Sequence, residues 1–198
     1  MKKSFLFLTI LFLLNIHSLF AGENQYFFVF LNSNPDRDSL PEAKVLELQE
    51  GHMANINKLA KEGKLITAGP VKGGGIFILI ASSLKEAKEY LLTDPVIKAK
   101  RFNLEVYQMN IAEGNICSVP EESFKMVNYL LIRYEGNFSA KDKKMLLVQI
   151  DFEERNDGVA VLNYDPEKGE NEIISSLFSS DKTVYIKKLW IGKGSFCE

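Results

Sequence analysis

Four short apolar runs with strand character punctuate the first half of this chain, and two segments of helical period separate them. Tyr26 to Leu31 (YFFVFL) is aromatic and branched throughout, the pattern of a strand buried on both faces. Leu65 to Ala68 is a second, shorter strand, which Gly69-Pro70 is expected to break. Lys72 to Gly75 carries three consecutive glycines and predicts a turn into a buried strand, Ile76 to Ala81. Phe102 to Met109 alternates and closes the set.

Between the first two strands, Ser39-Leu40-Pro41-Glu42 has the form of a capping box with an early proline. Val45, Leu48, Ile56 and Leu59 then recur at helical spacing, with His52 midway on the same face. Gly63 suits the C′ position that ends the helix. Ser83 to Glu86 is a second capping box, opening a helix to about Leu92. Asp94-Pro95 stops that helix, because the residue before proline is pushed out of the α region. The order β-α-β-β-α-β predicts an α+β, ferredoxin-like sheet with helices on one face, its other face covered by a further copy or segment.

The first twenty-one residues have a different character. Lys2 and Lys3 precede an apolar run from Phe5 to Leu14, and Ser18-Leu19-Phe20-Ala21 offers a small residue before Gly22. That pattern predicts a secretory signal peptide over 1–21, cleaved to leave a secreted or periplasmic protein. The run is short for a membrane span, and no stable span is expected after cleavage. Losing Lys2 and Lys3 takes the formal net charge from −2 to −4. A mildly acidic chain without a basic stripe is a poor partner for nucleic acid. In an oxidising compartment the two cysteines, Cys117 and Cys197, are most simply read as a disulfide, with two unrelated thiols as the alternative.

The second half echoes the first. Residues 112–123 read as a linker. Asn128 to Tyr134 resembles the opening strand, and Gly158 to Tyr164 resembles the strand after the triple glycine. Ser139 to Leu147 would supply a short first helix, Glu170 to Phe178 a second, and Val184 to Ile191 a closing strand. Residues 124–198 are thus expected to form a shortened α/β unit, a reduced repeat of 25–111 by element order.

The run Tyr26–Leu31, followed by Gln49-Glu50-Gly51-His52, Gly63-Lys64-Leu65, Ala68-Gly69-Pro70 and Asp94-Pro95, resembles the YCII-related domain family. The resemblance covers about 25–110 and implies a ferredoxin-like domain of the dimeric α/β-barrel type, with a His–Asp site. A chlorohydroquinone-dehalogenating enzyme and relatives of muconolactone isomerase stand in the family's wider neighbourhood. The chain departs from the pattern in its leader, in a second unit that lacks histidine, and in Lys98-Ala99-Lys100 where a glycine is common. The partner for the bare sheet face is then either the second unit, as an intrachain pseudo-dimer, or another chain in a homodimer.

The resemblance assigns His52 as a general acid/base oriented by Asp94, which suits proton transfer next to a carbonyl or loss of a leaving group from a hydroxylated ring. Gln49, Tyr90 and Arg37 are candidates to orient a polar or anionic small molecule. A core histidine bonded to a backbone carbonyl, in a non-catalytic ligand-binding or assembly module, is the alternative. No cofactor is called for. The triple glycine lacks the residues of a phosphate loop, and one His with two Cys makes no metal cluster. Trp190 is expected in the core.

Overall fold

In the computed structural model, residues 24–119, 125–165, 174 and 176–197 are described. β1 (Gln25–Ser33) leads to α1 (Glu42–Lys61), β2 (Leu65–Val71) and β3 (Gly74–Ala81). α2 (Leu84–Leu91), the single-turn α3 (Pro95–Lys98) and β4 (Phe102–Gly114) complete the first half. The second half is β5 (Met126–Ala140), a 3-10 turn at Lys143–Met145, β6 (Leu146–Phe152), β7 (Asp157–Leu162) and β8 (Phe178–Gly192).

The eight strands form one closed antiparallel barrel in the order β1-β3-β2-β8-β5-β7-β6-β4. This overturns the expected fold class, a ferredoxin-like α+β domain of the dimeric α/β-barrel type with a shortened α/β unit after it. The sheet of the first half does not end at its edges. β4 pairs with β6 from Met109–Phe152 to Gly114–Val148, and β2 meets β8 at Val71–Leu189. Closure satisfies edge groups that an open sheet would leave unpaired, and it encloses an apolar face that four strands alone would expose. The helix expected over Ser139 to Leu147 is also absent. β5 runs to Ala140, and only the 3-10 turn separates it from β6, a strand the sequence reading did not anticipate.

Each half nevertheless follows the same path. The first-half strands lie in the order β4-β1-β3-β2 and the second-half strands in the order β8-β5-β7-β6. Residues from both fill one interior: Phe28, Phe30 and Ile78 meet Leu131, Phe152 and Val159. Phe30 sets its ring edge-on to Phe152 at 6.0 Å. The alternate residues of β1, Phe27, Val29 and Leu31, point outward under the helices. Burial on both faces is why this strand is apolar without interruption. Among the described residues, the second half has a smaller outer cluster around Leu130, Ile132, Leu162 and Phe178.

Local signals held unevenly. Ser83 caps α2 by accepting from Glu86 N–H, as the capping box predicts. Ser39 does not cap α1, whose N-cap is Pro41 with no side-chain bond. Gly69-Pro70 does not break β2, for Gly69 pairs with Ile76 and Pro70 with Gly75. A proline is tolerated because β2 is nearly an edge, joined to β8 by one pair only. The leader over 1–21 lies outside the described residues, as does most of the helix expected over Glu170 to Phe178. Among the described residues no helix is long and apolar enough to cross a membrane.

Candidate functional site

α1 lies over the outer face of the first half and brings His52 against Phe77 of β3, the two rings near-parallel with centroids 5.9 Å apart. His52 Nδ1–H donates to Asp94 Oδ2 at 2.6 Å, with the proton placed on Nδ1 by its partner. Asp94 is completely buried and His52 is 14% exposed. The other carboxylate oxygen of Asp94 accepts from Val96 N–H, making Asp94 the N-cap of α3. A buried carboxylate without partners costs several kcal/mol, so these two bonds are conditions of its burial. The bond to Asp94 leaves Nε2 as the ring nitrogen free to accept a proton.

Two neighbours on α1 explain the placement. Gly51 occupies a mid-helix position where glycine costs about 1 kcal/mol relative to alanine. A Cβ there would meet Pro95 Cγ at 2.7 Å, so the glycine lets α1 approach the segment that carries Asp94. One turn beyond His52, buried Asn55 accepts from Thr93 Oγ1 at 2.8 Å, which ties α1 to the residue before Asp94. The amide nitrogen of Asn55 is buried without a partner.

His52 opens on a cavity of about 660 Å³. Gln49, one turn earlier, also lines it. The walls are largely apolar: Met53 and Ile56 from α1, Leu65 from β2, Phe77 and Phe102 from the sheet. The second half contributes as well, through Trp190 on β8 and Ser195 beyond it. Trp190 is half-exposed at this wall, not in the core as the sequence reading expected. Gly69 makes the junction: a Cβ there would lie 2.8 Å from the Trp190 carbonyl oxygen.

Two of the nominated residues are elsewhere. Arg37 sits exposed in the loop after β1 and is not in the cavity wall. Tyr90 belongs to a surface network on α2, donating to Glu86 Oε1 at 2.5 Å under the Lys64 ammonium. Burial, with the Glu86 carboxylate beside it, pushes the Tyr90 hydroxyl up to about 12. Bonds from Ser82 and Tyr90 hold the Glu86 carboxyl at about 2.

Sequence reasoning missed a second polar constellation, inside one mouth of the barrel. Arg133 of β5 pairs with Glu105 of β4 at 2.9 Å, and its guanidinium lies 4.6 Å from the Phe30 ring centroid. Tyr107 donates to Glu105 at 2.6 Å, and Asn32 donates to its other oxygen at 2.7 Å. Arg155 grips Asp157 through two bonds. Burial works against the Arg133 charge, but Glu105 outweighs it and holds the group above its ordinary value. Burial likewise disfavours the Glu105 carboxylate, and the bonds from Arg133 and Tyr107 hold its pKa below the usual range. The available signal was a charged residue at an inward, alternating position in each of two apolar strands. Arg133 also approaches Asp157 at 3.7 Å, so the charges of this cluster are paired with one another.

At the opposite end, Cys117 and Cys197 form a disulfide with Cα atoms 5.8 Å apart. Ile116 and Phe196 bridge beside it, and buried Phe196 joins the barrel interior. Among the described residues no group of three or more His, Cys, Asp or Glu could hold a metal ion.

Fold and site thus define an antiparallel barrel with one helix-covered flank, where a histidine held by a buried aspartate faces an apolar cavity. Residues 27–110 match the family model of the YCII-related domain, and this stretch of the chain is a YCII-related domain. No curated protein matches the chain.

Proposed function

We propose that this protein is an exported small-molecule lyase or isomerase in which His52 is the acid/base and Asp94 orients it. The observation that carries the reading is the 2.6 Å bond from His52 Nδ1–H to a fully buried carboxylate, at the wall of a cavity large enough for a small organic ligand. A base so held can take a proton next to a carbonyl through Nε2 and return it at another atom, or leave it off as a neighbouring group departs. The imidazolium formed in between is stabilised by Asp94. Gln49 supplies an amide to orient the polar group of the substrate.

The leader over 1–21 and the Cys117–Cys197 disulfide support export to an oxidising compartment, periplasmic or extracellular. Mass spectrometry of the protein recovered after expression with its leader should give a chain beginning at Gly22.

The chemistry is tested by deuterium exchange into a panel of neutral cyclic ketones and hydroxylated rings, followed by NMR. The expected result is exchange that falls about 100-fold or more in His52→Gln and by a smaller factor in Asp94→Asn, with both variants folded. Exchange unaffected by His52→Gln rules out the acid/base role. The second reading, a binding module without chemistry, is favoured by one feature: no second titratable side chain joins His52 in the described cavity wall. It predicts ligand binding with no exchange in the wild type.

A further inference from the structure

Part of the cavity wall is built by the other half of the chain, and its chemistry specifies what the cavity holds. Thr67 Oγ1 donates to Ser195 Oγ at 2.8 Å, and both residues are buried in the cavity wall. The Ser195 hydroxyl, having accepted from Thr67, keeps its own proton to donate. Ser195 is held in place by the clasp, since its carbonyl accepts from Cys117 N–H at 2.8 Å and Cys197 follows two residues later. Trp190 lies on the same wall, half-exposed beside the seam of β2 and β8. Past the Val71–Leu189 pair the two segments stay close, Gly69 against the Trp190 backbone and Thr67 against Ser195, and the cavity lies beside this seam under α1.

Charge completes the argument. The described wall holds no Lys, Arg, Asp or Glu. The one ionisable side chain there, His52, already answers a buried carboxylate. An anion entering this space would lose its hydration, find no unpaired cation in the described wall and approach Asp94, all of which disfavour it. Arg37, a candidate to orient a polar or anionic molecule, is outside the wall.

We propose that the cavity selects an uncharged, mostly apolar molecule with a hydrogen-bonding group at each end. One end meets His52 and Gln49. The other accepts from the Ser195 hydroxyl, and the apolar body lies along Trp190. The inference rests on the cavity assigned above as the functional site, and it holds whether or not His52 performs chemistry. Trp190 and the Thr67–Ser195 pair are therefore binding residues contributed from outside the helix-covered flank.

The chain has one tryptophan, so a single indole N–H signal reports on this wall. 2,6-Dihydroxynaphthalene (hereafter naphthol), with a hydroxyl at each end, and 6-hydroxy-2-naphthoate (hereafter naphthoate) share a ring system and differ in charge at neutral pH. Each would be titrated into the purified protein by calorimetry while the indole signal is followed by NMR. The expected result is that naphthol binds and shifts the indole signal, while naphthoate binds at least tenfold more weakly. Ser195→Ala and Thr67→Val should each weaken naphthol about threefold to tenfold, the range of one hydrogen bond, with the His52 ring signals unchanged. Naphthoate binding as tightly as naphthol, no naphthol binding, or naphthol binding without moving the indole signal would each overturn the proposal. Naphthol binding at Trp190 in a protein that exchanges no deuterium leaves this inference standing and removes the lyase or isomerase reading. Exchange that depends on His52 while naphthol fails to bind does the reverse.

Discussion

The two halves of the barrel share a strand order and differ, among the described residues, in what covers them. Between β1 and β2 the chain inserts a 20-residue helix; between β5 and β6 it inserts a three-residue 3-10 turn. The first half therefore has an outer layer, and with it a second apolar core, the His52–Asp94 pair and most of the cavity. The second half leaves Val184, Ile186 and Trp190 of β8 exposed. Chemistry-bearing residues gather where a helix lies over a sheet, because that interface can bury a carboxylate and still leave a cavity beside it. The second half supplies interior packing, the clasp and a further part of the cavity wall.

If the halves are one cooperative unit, damage to the shared interior should unfold both together. Phe30→Ala removes a buried ring that touches residues of both halves and should cost about 3–5 kcal/mol in urea unfolding. The transition should remain single by circular dichroism and by Trp190 fluorescence; separated transitions would show that the halves are independent. Replacing both cysteines by serine opens a closure between residues 80 apart in sequence and should cost about 3 kcal/mol. The same pair of substitutions should weaken naphthol binding, since Ser195 is then untethered.

Arg133→Met leaves Glu105 without its cation in the barrel mouth. Because Glu105 is about one-third exposed, the cost should be roughly 2 kcal/mol, below that of a fully buried pair. Naphthol affinity should not change, because Arg133 is not in the cavity wall. Gly51→Ala is the sharper probe of the helix-covered half. Alanine favours the helix by about 1 kcal/mol, yet its Cβ meets Pro95. The expected outcome is a net loss of about 1 kcal/mol with a larger effect on deuterium exchange, as α1 and Asp94 are pushed apart. A gain in stability with unchanged exchange would show that the contact relaxes freely.

The smallest effect is a pH dependence confined to the first half. Glu86 is held at about 2 against an ordinary value of 4.5, so the folded state prefers its carboxylate. Its contribution is complete above about 4.5 and is lost as the pH falls through about 2. Stability curves for the wild type and Glu86→Gln should converge over that window. Parallel curves would mean that the Ser82 and Tyr90 bonds do not persist in solution.

Much of the covered half was legible in the sequence because its signals are local. Burial on both faces left β1 with no polar residue from Tyr26 to Leu31, and Gly63 ends α1 with a φ of +70°. His52 and Asp94 were nominated by the resemblance in motif, and the structure puts them within hydrogen-bond distance. Arg37 and Tyr90 lie outside the cavity wall, because residue type and approximate position do not give direction: one is exposed in a loop, the other is engaged with Glu86 on α2. β6 was missed because LLVQIDF follows a basic stretch that looked helical. Its strand identity depends on pairing with β4 and β7, residues far away in sequence.

By itself, then, the sequence determined the period of each first-half segment, the YCII-related character of 27–110, and the chemistry available at one histidine. These follow from side-chain alternation, turn residues and a motif, all of which act over a few positions. Only the tertiary structure decided that two strand sets close into one barrel, that Trp190 leaves the core for a cavity wall, and that Ser195 reaches a site begun 143 residues earlier at His52. Those outcomes depend on which edges find partners and which faces remain uncovered. That is a property of the whole chain, because an unpaired strand edge and a bare apolar face are satisfied by whatever distant segment fits them.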